Sequence, residues 1–301
     1  MEDAALVRPE SGSPLLLTVD FITPIVDGPE EFGAIAAANA LSDVYAMGGQ
    51  PQVALAVCGF PEDRLGTDIL ERIFRGGRDK AAEAGCAIVG GHTVIDPELK
   101  YGLCVVGSVD AERAFAQDRA QPGDRLVLSK PLGTGVAAQA LKDDRLAAGE
   151  LELAVGVMST LNRGACDAAL AAGVRAATDV TGFGLLGHLH NLLLASGVAG
   201  RVSLAALPLF PFARRLVDQG LVPGGTRRNL AYVEPHTTWN EALGETDRLL
   251  ACDAQTSGGL LMAIPAAQCD ALVRELEARG TPAAAVIGEI VAGTPGALAV
   301  D

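Results

Sequence analysis

Apolar runs and amphipathic stretches alternate along this chain, and their periods predict its elements. Residues 3–7 and 15–21 read as strands joined by a turn at residues 9–14. Asp27 is a candidate N-cap, Pro29 stands in the first turn, and Glu30 and Glu31 lie near the positive end of a helix that Gly48-Gly49 closes. On that helix Phe32, Ile35 and Ala36 suit a core-facing side, whereas Asn39 and Asp43, four residues apart, share another face. A strand at residues 53–58, a helix at 65–84 closed by Gly85, and strands at 87–89 and 101–109 follow. This order predicts an α+β unit with both helices on one face of a mixed or antiparallel sheet.

The stretch 110–124 is polar and ends on the turn signature Pro122-Gly123-Asp124, so it reads as a linker between domains at residues 1–115 and 120–301. Two domains also suit 301 residues at about 150 per domain. The second domain reads as α/β: strands at 125–129, 176–179, 259–264 and 284–290, and helices at 151–172, 185–196 and 266–279. With 49% hydrophobic residues the chain buries a core without staples; aromatics are only 4%, so that core is built from Ala, Val, Leu and Ile. Twenty-three basic against 37 acidic residues leave a net charge of −14, which repels a nucleic-acid backbone and means that an anionic ligand must arrive with a cation. The residues that follow Met1 form no signal peptide, no uncharged apolar run has the length of a membrane span, and the six cysteines form no C-x-x-C pair. Together these read as a cytoplasmic protein with buried free thiols, bound neither to membrane nor to nucleic acid.

Several familiar sites are missing. There is no G-x-x-x-x-G-K-[ST] and no H-E-x-x-H. Gly133-Thr134-Gly135 follows a strand and opens a helix, but without a strand-end acid at the expected distance it reads as a tight turn rather than a nicotinamide site. His188 and His190 stand two apart on a helix, on nearly opposite sides, one at the surface and one semi-buried.

The informative residues are acids in apolar or glycine-rich settings: Asp3 beside a first strand, Asp20 at the end of Leu15-Leu16-Leu17-Thr18-Val19, Asp43 on the first helix, and Asp179 after Ala176-Ala177-Thr178. A lone buried carboxylate is costly unless it is paired or bound to metal. Singly, each is a cap or turn, and Asp179 stands where it could cap the next helix. As a set they suit a hard cation such as Mg2+, which commonly bridges carboxylates to substrate phosphates. Gly90-Gly91-His92-Thr93 and residues 253–259 add small polar turns with backbone N–H groups free to approach an anion.

On these residues the chain resembles selenophosphate synthetase (selenide, water dikinase). The likeness is carried by residues 20–27, 39–49, Gly90-Gly91-His92-Thr93, 100–103, 178–187, 223–226 and Gln255-Thr256-Ser257-Gly258-Gly259, in the family's order. The helix at 39–49 and the turn at 179–184 are shared more loosely with aminoimidazole ribonucleotide synthetase, thiamine-phosphate kinase and a hydrogenase maturation protein. The resemblance implies a two-domain aminoimidazole ribonucleotide synthetase-like fold and a homodimer whose amino-terminal sheets form a shared barrel. It also implies ATP- and Mg2+-dependent conversion of selenide and water to selenophosphate, AMP and orthophosphate. By the same resemblance Asp3, Asp43 and Asp179 fall on metal ligands, Asp20 and Asp43 on ATP contacts, and Gly91, His92 and Thr93 on a segment that reaches ATP from the partner subunit.

Family members carry, ahead of the position of Asp3, a glycine-rich segment with a reactive cysteine or selenocysteine and a lysine. Here Met1 stands two residues before Asp3, and none of the six cysteines has that context. No residue is therefore assigned as the catalytic nucleophile, and a truncated or mis-started reading frame is expected. Two alternatives stand beside this: a catalytically inactive nucleotide-binding dimer subunit, and another enzyme of the superfamily such as a thiamine-phosphate kinase.

Overall fold

The computed structural model describes residues 2–10 and 12–301. The chain divides into two compact units, one of Asp3–Ala114 with Met158–Arg163, the other mainly Phe115–Val157 and Gly164–Asp301. The turn expected at residues 9–14 includes Ser11, and the chain start Met1; both lie outside the described residues.

The first unit contains β1 (Ala5–Val7), β2 (Leu15–Ile22), α1 (Pro29–Ala46), β3 (Gln50–Phe60), α2 (Thr67–Glu83), β4 (Ala87–Ile95) and β5 (Lys100–Ser108). Among the described residues the five strands form one mixed sheet in the order β1-β2-β5-β3-β4. Its pairs are antiparallel except that β3 runs parallel to β4. α1 lies on β2 and β5, and α2 packs on α1 and β4. The cap of α1 is Gly28 and not Asp27, with no side-chain cap among the described residues. Contact with the sheet and α2 therefore stabilises this helix more than its first turn does. The two helices approach closely because glycine permits it: a Cβ on Gly33 would stand 2.0 Å from the Ile73 carbonyl oxygen, and one on Gly76 2.0 Å from that of Glu30.

β2 has an unusual polarity. Thr18 and Asp20 alternate with Val19 and Phe21, and it is the apolar residues that point away from the helices, Val19 being 59% and Phe21 48% exposed. Leu17, Val53, Leu55 and Val89 are exposed as well. Period-2 alternation normally buries the apolar set. Here Leu16, Leu103 and Val105 cover the helix side, and a second set of apolar side chains remains on the surface.

The second unit contains β6 (Asp124–Leu128), α3 (Thr134–Lys142), α4 (Ala148–Ser159), α5 (Arg163–Ala172), β7 (Ala176–Asp179), α6 (Gly184–Ser196), β8 (Ala199–Val202), α7 (Ala213–Asp218), α8 (Gly224–Val233), β9 (Thr237–Trp239), α9 (Glu245–Ala251), β10 (Leu260–Pro265), α10 (Ala266–Ala278), β11 (Ala285–Val291) and β12 (Leu298–Val300). Among the described residues its seven strands are ordered β7-β10-β6-β11-β8-β12-β9. The core joins Leu126 and Leu128 of β6 to Leu185, Leu189, Leu192 and Leu193 of α6. The helix expected over 151–172 is instead two, α4 and α5, broken between Ser159 and Arg163. Ser, Thr and Asn there compete for backbone hydrogen bonds, and the Asn162 side-chain amide donates to the Ser42 hydroxyl at 2.8 Å.

Gly33→Ala should lower the urea midpoint by an amount equivalent to about 2 kcal/mol, because backbone rather than a flexible side chain blocks the new methyl group. Gly149→Ala on α4, where a Cβ meets nothing within 4 Å, should leave the midpoint unchanged or raise it.

Candidate functional site

In the first unit Asp20 and Asp43 lie in the seam between β2 and α1. The Asn39 amide donates to Asp20 Oδ2 at 2.5 Å, and the Thr18 hydroxyl donates to Asp43 Oδ2 at 2.5 Å. Thr18 and Asp20 are i, i+2 on one strand face, and Asn39 and Asp43 are i, i+4 on one helix face. The two bonds are therefore rungs of one polar ladder inside an apolar unit. Burial pushes the Asp20 carboxyl above its ordinary range, with hydrogen bonds from Asn39 and the Phe21 backbone opposing it. Asp3 lies in the bend before β1, next to the Ala4 amide that donates to Met47 Sδ at 3.2 Å.

Gly90-Gly91-His92-Thr93, expected as a turn, lies within β4, an edge strand. The parallel pairing with β3 decides this, with Gly91 opposite Ala56 and His92 opposite Val57. Gly91 is required there, since a Cβ would fall 2.2 Å from the Ala56 carbonyl oxygen. Gly91, His92 and Thr93 are exposed. They border a cavity of about 500 Å3 whose walls include Phe74, Arg75, Ile88 and Tyr101. The Tyr101 hydroxyl is buried without a hydrogen-bond partner among the described residues.

In the second unit Asp179 is the last residue of β7 and is only 2% exposed. It does not cap the following helix: the N-cap of α6 is Phe183. The backbone after Asp179 is tied down on every side. The Val180 amide donates to the Gly259 carbonyl at 2.9 Å, the Gln255 amide donates to the Thr181 carbonyl at 3.0 Å, and the Asn229 side-chain amide donates to the Gly182 carbonyl at 2.9 Å. His188 Nε2 accepts the Thr181 N–H at 3.1 Å, which puts the ring proton on Nδ1. Burial holds this imidazole down at about 4. His190, expected as the second of a surface and semi-buried pair, is buried, and its Nδ1 bonds to the Gly296 carbonyl at 2.8 Å.

The turn at residues 253–259 is the anchor for these bonds. Gln255 Oε1 accepts from the Gly133 and Thr134 amides at 3.1 and 3.2 Å, and Asp253 Oδ2 accepts from the Gly135 and Val136 amides at 3.1 and 3.3 Å. These are the N–H groups that the start of α3 leaves without intrahelical partners. A dinucleotide site would leave them to a pyrophosphate; here the chain's own carboxylate and amide take them. Gly133 has a φ of +121°, as its reading as a tight turn requires. Asp253 Oδ1 also accepts from the Thr226 hydroxyl of α8 at 2.8 Å. Asp253 is 1% exposed, and burial pushes its carboxyl up to about 6 against the pull of these donors. Lys130, equally buried, donates from Nζ to the Ser257 carbonyl at 2.8 Å.

Asp253, Gln255, Asn229, Thr226, Lys130 and His188 are absent from the sequence-derived site. The small, polar composition of residues 253–259 and the family resemblance over residues 223–226 and 255–259 marked these segments, but nothing in the sequence assigned their hydrogen-bond partners. Among the described residues no three His, Cys, Asp or Glu side chains gather as one metal-binding group.

Two family matches cover the units. Residues 1–109 match the family described as AIR synthase related protein, N-terminal domain, and residues 121–301 match AIR synthase related protein, C-terminal domain. The selenide, water dikinase of Myxococcus xanthus is 46% identical over 298 residues, 98% of this chain and 84% of that protein. The chain belongs to the selenide, water dikinase family. Within that family the enzyme of Nitratidesulfovibrio vulgaris strain Miyazaki F is 47% identical over 297 residues, 98% of this chain and 84% of that protein. Among solved structures, thiamine-monophosphate kinase from Stenotrophomonas maltophilia has a TM-score of 0.73 at 26% identity, covering 100% of this chain and 89% of that one. Hydrogenase maturation protein HypE in complex with ATP has a TM-score of 0.73 at 21% identity, covering 97% and 83%, and shows a shared fold. The α+β, aminoimidazole ribonucleotide synthetase-like architecture expected from the sequence is thus the one observed.

His188 generates a pH test. A histidine held at about 4 in the folded chain and about 6.5 unfolded adds stability above pH 6.5, which is lost as pH falls from 6.5 to 4, up to about 3 kcal/mol. The urea midpoint of His188→Gln, which keeps an acceptor but does not titrate, should fall less than that of the parent between pH 7 and pH 4.5. Parallel falls would show that His188 does not carry this linkage.

Proposed function

We propose that this chain binds ATP together with Mg2+ and forms selenophosphate from selenide and water, releasing AMP and orthophosphate. Family membership supports the reaction class. The observation that carries the site is the ladder of Asp20 and Asp43 with Thr18 and Asn39, which fixes two carboxylates in an otherwise apolar unit.

In this reading Asp3, Asp43 and Asp179 hold the metal, Asp20 and Asp43 contact ATP, and Gly91, His92 and Thr93 reach the nucleotide of a second copy. The donor set fits a hard cation, because carboxylate oxygens are the ligands that Mg2+ prefers. Asp179 at 2% exposure is a carboxylate whose ionised form needs donors or an opposing charge. The metal supplies neutralisation of phosphate charge, which a chain of net charge −14 otherwise opposes. The chain's own residues do the rest. The Thr18 and Asn39 bonds orient the two seam carboxylates, and the ties on residues 180–182 orient Asp179.

The exposed apolar face of β2, β3 and β4 supports a homodimer in which residues 1–115 form the nucleotide, metal and dimerisation domain, with 120–301 as the second domain. Soluble side chains on that face would be polar; Val19, Phe21, Leu55 and Val89 are not. The six cysteines form no disulfide among the described residues, which supports a reducing, cytoplasmic setting. No helix among the described residues is long and apolar enough to cross a membrane.

Calorimetry with ATP should show binding in Mg2+ and almost none in EDTA. Asp179→Asn should weaken binding at least tenfold, and Asp110→Asn should leave it unchanged; equal losses would reduce Asp179 to a structural acid. Selenide, and not thiamine phosphate, should drive consumption of ATP. For the dimer, light scattering at micromolar concentration should report two copies for the parent and one for Val19→Asp, and a monomeric parent would count against the shared barrel.

A further inference from the structure

The N-terminus of α3 carries no phosphate-binding function of its own, because residues 253–255 already occupy it. What that occupation achieves can be followed bond by bond. Asp253 Oδ2 holds the Gly135 and Val136 amides, and it also accepts from the Gln255 side-chain amide at 2.9 Å. Its other oxygen holds the Thr226 hydroxyl, whose Oγ1 in turn accepts the Ala254 amide at 3.1 Å. One buried carboxylate thereby clamps the first turns of α3 and α8 onto a single loop. Gly135 allows the close approach: a Cβ there would lie 2.2 Å from the Ala254 carbonyl oxygen and 2.7 Å from Asp253 Oδ1.

From this clamp two arms reach the backbone after Asp179. The Gln255 amide holds the Thr181 carbonyl at 3.0 Å. Through α8, the Asn229 side chain joins the Gly182 carbonyl at 2.9 Å to the Cys252 carbonyl at 3.2 Å, the latter on the residue next to Asp253. Gly258 closes the gap, since a Cβ on it would fall 2.0 Å from the Val180 carbonyl oxygen.

We propose that Asp253 is a positioning residue for Asp179, acting through Gln255 and the α8 side chain Asn229 to fix the carboxylate at the end of β7. The proposal rests on the reading of Asp179 as a metal ligand. Groups that orient a ligand from behind typically change metal affinity 10- to 100-fold when removed. The charge matters as well as the shape: a carboxylate facing two helix starts is favoured by both dipoles, and an amide of the same volume is not.

The test measures the Mg2+ concentration needed for half-maximal ATP binding on the full chain. Asp253→Asn should raise it about tenfold, and Thr226→Val, which removes one hydroxyl at nearly constant volume, should raise it several-fold. If Asp253→Asn does not fold, Thr226→Val decides. Combining Asp253→Asn with Asp179→Asn should give no larger Mg2+ requirement than Asp179→Asn alone, the signature of one residue acting through the other. Asp247→Asn is the control for general destabilisation. Its carboxylate accepts from the Gly244 amide at 2.9 Å and Arg214 at 2.6 Å, away from this loop, so the variant should lose stability and keep the parent's Mg2+ requirement. A folded Asp253→Asn or Thr226→Val with the parent's Mg2+ response overturns the proposal, as does an equal shift in Asp247→Asn. ATP binding by the parent that ignores Mg2+ overturns the metal reading itself; Mg2+ dependence that responds to Asp179→Asn but not to Asp253→Asn overturns only the positioning role.

Discussion

Several helix starts in this protein must find partners for their backbone N–H groups elsewhere in the fold, because their own capping residues do not provide them. α1, α2, α3, α6 and α8 begin after Gly28, Gly66, Gly133, Phe183 and Pro223, and among the described residues none of these caps makes a side-chain bond. Each unsatisfied buried N–H costs about 1–3 kcal/mol, so the partners have to come from elsewhere. For α3 they come from Asp253 and Gln255, 117 to 122 residues away in sequence. That requirement ties the end of the sheet, the loop at 253–259 and the turn after β7 into one rigid piece. A carboxylate at the end of β7 is then presented by a backbone with few conformational alternatives.

The first unit solves a different problem with the same economy of polar groups. Its sheet carries apolar side chains on both faces, and the polar residues of β2 are turned toward α1. Thr18, Asp20, Asn39 and Asp43 meet there, the Asn39 amide donating to Asp20 and the Thr18 hydroxyl to Asp43. Glu30, in the first turn of α1, and Glu71 of α2 are engaged instead by Arg72 and Arg75 at the surface. Such exposed pairs add little stability and leave nothing for a ligand.

Much of the candidate site was legible because carboxylates stood where the local pattern called for apolar residues. Asp20 follows an apolar run and lies inside β2, Asp179 ends β7, and both anomalies persist in the fold. Strand and helix positions followed from periodicity, and β7 and α6 lie close to where it put them. The Gly-Gly pair in β4 misled, because two glycines read as a turn until a parallel neighbour supplies the ladder. The break between α4 and α5 was hidden by alanine, which suits a helix on every face and so leaves little period to read.

Local chemistry alone therefore determined the class of fold, the order of most elements and the identity of the acids, since burial of a charge and the spacing of apolar residues are properties of neighbours in sequence. Which N–H groups meet Asp253, why Gly91 and Gly135 cannot carry a Cβ, and which neighbours hold Asp179 in place were decided only by tertiary structure. Those partners lie tens to more than a hundred residues apart, and a hydrogen bond or a steric limit of 2–3 Å is set by where two backbones cross, which no pattern within either segment records.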